Sequence, residues 1–136
     1  MSRPYVLVVN DVPQASANAK RWLEPAGFEV GTAETGEDGC RLCGERSPDL
    51  ILLDYHLKKD LKLGSTGWKT GIDFVPELRK ACPGVCIVIM SATVSNLQLD
   101  ESGLVDGVIY VNGGRFDWAG LAGSVWKYLK RNSRTK

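Results

Sequence analysis

The chain has 136 residues, 43% hydrophobic and 24% charged, with 17 Lys and Arg against 16 Asp and Glu for a net charge of +1. That is the size and balance of one globular domain with its own core, and no global field draws it to nucleic acid or a membrane surface. No stretch approaches the roughly 18 apolar residues of a membrane span, and the first strand starts too early to leave room for a signal peptide. The expectation is a cytoplasmic protein with reduced cysteines and no direct contact with membrane or nucleic acid.

Five apolar runs alternate with segments of helical period. The first strand is predicted over Tyr5–Val9 and ends in Asn10-Asp11. A helix follows from Pro13 to Ala26, with Ala15, Ala19, Trp22 and Leu23 at helical spacing and Pro13 suited to the first turn. The second strand, Phe28–Ala33, carries Glu29, Gly31 and Thr32 and is polar enough for a sheet edge. A weaker helix spans Glu37 to Arg46. Leu50–Asp54 is the third strand, a continuous apolar run closed by one carboxylate. Runs of this kind are buried on both faces, as in parallel sheets covered by helices.

A short helix is predicted from Ile72 to Ala81, with Pro76 tolerable only in its first turn. The fourth strand is Val85–Met90, followed by Ser91 and a helix over Thr93 to Ser102 closed by Gly103. The fifth strand is Gly107–Val111. The last helix runs from Asp117 to Arg131, with Asp117 as N-cap and Leu121, Val125, Trp126 and Leu129 on one face. Strand–helix alternation with right-handed crossovers predicts an α/β three-layer sandwich with helices on both faces of a parallel sheet. Five strands and five helices at this length fit the flavodoxin-like order 2-1-3-4-5. Residues 1–132 would form the domain and 133–136 a basic tail.

In that order the first, third and fourth strands are neighbours, so Asn10-Asp11, Asp54 and Ser91 converge on the ligand-binding edge. Two carboxylates beside backbone carbonyls suit Mg²⁺, which takes hard oxygen ligands and keeps several waters. Once a metal offsets its charge, a carboxylate can attack phosphorus and form an acyl phosphate. A serine hydroxyl one strand away is a natural donor to an equatorial oxygen. Helix capping explains any one of these residues, but not all of them on adjacent strands.

With these residues the chain resembles the receiver domain of two-component response regulators, the CheY-like family, over nearly its whole length. The matching pieces are Val6-Leu7-Val8-Val9-Asn10-Asp11, Pro48-Asp49-Leu50-Ile51-Leu52-Leu53-Asp54, Ile87-Val88-Ile89-Met90-Ser91-Ala92 and Val105-Asp106-Gly107. The resemblance implies that Asp54 accepts a phosphoryl group from a histidine kinase or phosphotransfer protein. It implies that Asp11, Asp54 and the backbone carbonyl of His56 bind Mg²⁺. Ser91, followed by Ala92, would move onto the phosphoryl group and pass the change to the surface near the fourth and fifth strands. The output would be protein–protein contact rather than catalysis.

The pattern breaks in places. Asn10 stands in the acidic pocket where the family has an acid, which removes a negative charge near the metal. The lysine that the family carries at the end of the fifth strand falls on Val111 or Asn112, and neither supplies a cation. Its aromatic switch position falls on Val108 or Ile109, with Tyr110 close by. These departures favour a rival, a phosphorylation-independent pseudo-receiver that serves as an interaction module. The segment after Asp54 is roughly nine residues longer than the family's, with Gly71 as the matching glycine. Set beside Asp54, such a loop can gate access, supply the missing cation or dock a partner, or it is a tolerated insertion.

Other features carry less. Cys40-x-x-Cys43 falls inside a helix, Cys82 and Cys86 join a helix end to a strand start, and nothing in the sequence brings the pairs together as a zinc site. His56, the only histidine, has no Ser or Cys arranged for triad catalysis. No G-x-G-x-x-G follows the first strand, which argues against nucleotide binding. Trp118 and Trp126 read as core and rim packing, and the basic end from Lys127 to Lys136 as a solvated helix terminus.

Overall fold

A computed structural model describes residues 3–58, 68–91, 105–110 and 118–134. In chain order the elements are β1 (Tyr5–Val9), α1 (Pro13–Leu23), β2 (Glu29–Ala33), α2 (Gly36–Glu45), β3 (Leu50–Asp54), β4 (His56–Lys58) and β5 (Trp68–Thr70). There follow α3 (Val75–Ala81), β6 (Cys86–Ser91), β7 (Gly107–Tyr110) and α4 (Leu121–Arg134). Five strands pair in parallel in the order β2-β1-β3-β6-β7, the flavodoxin-like order expected, with the polar β2 at an edge. The helix expected over Thr93 to Ser102 lies outside the described residues, which hold four α-helices.

Alternation along the central strands builds the layers, because successive side chains leave a strand on opposite faces. Leu7, Val9, Ile51, Leu53, Ile87 and Ile89 enter one core with Cys43 of α2 and Leu78 of α3. Val6, Val8, Leu50, Leu52, Val88 and Met90 enter the other with Ala19 and Leu23 of α1 and Leu121 and Val125 of α4. Each of these strand residues is buried, and full burial of such a side chain stabilises by about 1.5–3 kcal/mol.

The boundaries that differ from expectation have local causes. Pro25 cannot continue the α-helical ladder, so α1 stops at Leu23 and Glu24–Ala26 tightens into a 3₁₀ turn. Gly27 ends that turn in the left-handed region, at φ 103°, which favours glycine. Phe28 belongs to the turn rather than to β2, since its N–H donates to Leu23 O at 3.2 Å. Thr35 caps α2 through its hydroxyl, which accepts from Asp38 N–H at 3.0 Å, so the helix starts at Gly36. Pro76 does sit in the first turn of α3, and the residues before it, Gly71–Phe74, are 3₁₀. Val85 donates its N–H back to Cys82 O, which delays β6 to Cys86. The last helix starts at Leu121, after a 3₁₀ turn over Trp118–Gly120, and Asp117 lies outside the described residues.

The cysteines need one correction. Cys40 and Cys43 lie in α2 and Cys82 and Cys86 after α3, as read, but the packing of α2 on α3 brings Cys43 and Cys82 together. The Cys82 thiol donates to Cys43 O at 3.4 Å. Spacing along the chain carried no hint of this, because the contact depends on the crossing of two helices. All four cysteines are free thiols. Burial pushes the Cys43 thiol up to about 12, and the neighbouring Cys82 adds to the shift.

Candidate functional site

Parallel register gathers the chemistry-bearing residues at one edge. Leu53 lies opposite Val9 of β1 on one side and Ile89 of β6 on the other. Asn10 follows Val9, and Asp54 pairs with Met90, so Asn10, Asp54 and Ser91 leave neighbouring strands spaced about 4.8 Å apart at nearly one level. Asp54 is the half-buried last residue of β3, and Asp11 is half-buried beyond the end of β1. Ser91 is fully buried at the end of β6, where it pairs with Tyr110 of β7. This is the carboxyl edge at which open α/β sheets place their ligands.

Asn10 is held from several directions. Its N–H donates to Ala33 O at 2.9 Å, and its side-chain oxygen accepts from Val12 N–H at 2.9 Å. The amide therefore builds the turn that aims the chain from β1 into α1, and Asp11 rides on that turn. An aspartate would accept the same hydrogen bond with a full charge. The substitution thus keeps the turn and lowers the negative charge beside Asp11.

The backbone leaving Asp54 is fixed by two residues. Tyr55, which the sequence reading passed over, donates its N–H to Met90 O at 2.9 Å and accepts from Gly71 N–H at 2.6 Å. Its ring packs on the core of the α2 and α3 layer. Gly71 is buried so close to the Asp54 carbonyl that an added Cβ would collide with that oxygen. Its match to the family's glycine is a demand for close backbone approach.

The long segment after Asp54 begins and ends as a hairpin stem. β4 and β5 pair antiparallel, with His56 opposite Thr70, Leu57 opposite Lys69 and Lys58 opposite Trp68. The sequence reading took this stretch for a loop, since three-residue strands rich in lysine carry little periodicity. Gly64, Ser65 and Gly67 between two short runs were the available turn signal. The stem sets the His56 backbone one residue beyond Tyr55, beside the strand ends. Ala92, Val111 and Asn112 lie outside the described residues, and Tyr110 is the last residue of β7.

Asp11, Asp54 and the His56 carbonyl are all hard oxygen donors. Among the described residues no three or more His, Cys, Asp or Glu side chains are arranged to hold a metal ion. A pair of carboxylates completed by a carbonyl and waters fits Mg²⁺, which does not need an all-protein cage.

The sequence profile of the response regulator receiver domain family matches residues 6–109. The chain belongs to that family, the receivers of two-component signal transduction. It is 35% identical over 92 residues to the protein-glutamate methylesterase/protein-glutamine glutaminase of Maricaulis maris, covering 66% of this chain and 20% of that protein. It is 33% identical over 95 residues to the transcriptional regulatory protein PrrA of Mycobacterium tuberculosis, covering 70% of this chain and 37% of that one. The chain thus spans well under half the length of these relatives. The response regulator TrrA of Thermotoga maritima, solved in complex with Mg²⁺ and BeF, superimposes with a TM-score of 0.73 at 25% identity, over 92% of this chain and 98% of that one. Among the described residues no helix is long and apolar enough to cross a membrane.

Proposed function

We propose that Asp54 is the phosphoacceptor of this receiver domain, charged by a histidine kinase or a phosphotransfer protein and read out by protein–protein contact. The observation that carries the reading is the convergence of Asp11, Asp54 and Ser91 on three adjacent strand ends. In the reaction an Asp54 carboxylate oxygen attacks phosphorus while the P–N bond of a donor phosphohistidine breaks, and the departing imidazole takes up a proton. Asp11, Asp54 and the His56 carbonyl would hold Mg²⁺, which would supply positive charge to the transferring group. Ser91 stands one residue past the level of Asp54 on the neighbouring strand, and its hydroxyl would shift toward the new phosphoryl oxygens. Its backbone pairing with Tyr110 offers a direct link to β7 and the surface beyond it.

The hairpin stem and Gly71 support the same reading, because they fix the backbone on both sides of His56. Positioning is most of what a phosphoryl acceptor needs from its protein. The rival reading, an interaction module indifferent to phosphate, gains nothing from the relatives. The two separate in a titration with Mg²⁺ and beryllofluoride followed by amide NMR. An acceptor gives shifts at Asp54, Ser91 and Tyr110 that require both ions and vanish in Asp54→Asn. An interaction module gives none.

A further inference from the structure

The outward stripe of α4 has an unusual composition. The helix Leu121–Arg134 contains Lys127, Lys130, Arg131 and Arg134 and no acidic residue. Gly123, Trp126, Lys127, Lys130 and Arg131 recur at i, i+3, i+4, i+7 and i+8, the spacing of one helix face. On a core helix that face would be apolar, but α4 already buries a separate one through Leu121 and Val125. The five residues border a shallow, open hollow of about 510 Å³ on the helix surface.

One side chain of this face is held rigidly. The Trp126 ring packs on the buried Phe28 at 4.5 Å between centroids, yet the residue remains 36% exposed. One part of the indole is locked by the core and another is offered to solvent, as in aromatic anchors at interfaces. At Gly123 nothing lies within 4 Å of where a Cβ would stand, so the same helix face is open there. Lys127 and Arg131 reach 6.0 and 5.9 Å from the Tyr128 ring. The last turn of α1, which packs on α4, adds Lys20 and Arg21 to this layer.

We propose that this face docks an acidic peptide segment of a partner protein, with an apolar side chain of the peptide beside Trp126 and its carboxylates met by Lys127, Lys130 and Arg131. Charge complementarity selects the occupant, since the local excess of cations stands in a chain whose net charge is only +1. The same balance disfavours a nucleic acid, which draws its affinity from many phosphate contacts and a broad positive field. From Gly123 to Arg131 the face runs about 12 Å, the reach of a peptide of about four extended residues. The proposal is independent of phosphorylation at Asp54.

The test is calorimetric titration of the full chain at low salt with an eight-residue peptide holding four glutamates around one leucine. Its glutamine counterpart and an oligothymidylate of matching charge serve as the comparison ligands. The docking site predicts that the acidic peptide binds best, shifts the Trp126 indole N–H in NMR spectra, and loses about tenfold in affinity with K127E/K130E/R131E. A peptide with lysines in place of the glutamates should then bind the charge-reversed protein. Equal binding of the glutamine peptide, tighter binding of the oligothymidylate, or no binding at all would overturn the proposal. So would affinity unchanged in the charge-reversed protein, whose substitutions lie on exposed positions and whose fold is checked by circular dichroism and the urea midpoint.

Discussion

Gly71 faces the backbone carbonyl of Asp54 at a distance no side chain can share, and its N–H donates to the carbonyl of the very next residue, Tyr55, at 2.6 Å. The acidic strand end and the first turn toward α3 are therefore built as one unit. Replacing Gly71 with alanine must push the Asp54 backbone aside, with a destabilisation of about 1–3 kcal/mol in urea unfolding. The same substitution should weaken Mg²⁺-dependent beryllofluoride binding more than its effect on folding accounts for. Wild-type affinity in a stably folded Gly71→Ala protein would mean that the contact is structural only.

Glu29 and Arg46 tie edge strand β2 to the end of α2. Arg46 donates to both carboxylate oxygens of Glu29, at 2.7 and 2.5 Å, and its guanidinium lies 4.2 Å above the Tyr5 ring. The hydrogen bond from Arg46 holds the Glu29 carboxyl below the usual carboxylate range. A depressed folded pKa contributes stability above the unfolded value, and that contribution is lost as pH falls through the folded value. NMR titration of Glu29 should show its midpoint rise in Arg46→Ala; an unchanged midpoint would count against the pair.

The Cys43 thiol should be inert in the folded protein. Reactivity belongs to the thiolate, and burial pushes this thiol up to about 12. A raised folded pKa contributes stability below the ordinary thiol value, and that contribution disappears as pH rises toward about 12. Alkylation at pH 8 followed by peptide mass mapping should leave Cys43 unmodified until denaturant is added, with the partly exposed Cys40 reacting first. Early modification of Cys43 would contradict the packing of α2 on α3.

Ser16 is buried in α1 with no hydrogen-bond partner for its hydroxyl among the described residues. A buried polar group left unpaired costs free energy, and alanine is also the better helix former. Ser16→Ala should therefore stabilise the protein by about 1 kcal/mol, read as a higher urea midpoint. A lower midpoint would reveal a role for the hydroxyl.

Much of the fold was legible because its central strands are continuous apolar runs closed by polar residues. Leu50–Asp54 and Tyr5–Val9 match the structure end to end, since burial on both faces leaves no room for polar alternation. The placement of Asp54, Asp11 and Ser91 at one sheet edge was legible for the same reason, as polar punctuation after such runs. The stem of β4 and β5 was not, because its pairing joins short strands across a long separation. Tyr55 was missed because its role at the site is carried by its backbone N–H and carbonyl, which sequence does not display. The contact of Cys43 with Cys82 likewise exists only once two helices have packed.

The most direct test of the central claim is the intact mass of the protein after incubation with a small phosphodonor and Mg²⁺, beside Asp54→Asn. Phosphorylation at Asp54 predicts a gain of one phosphoryl group that requires Mg²⁺, is reversed by hydroxylamine and is absent from the variant. An unchanged mass, or an equal gain in Asp54→Asn, would contradict it.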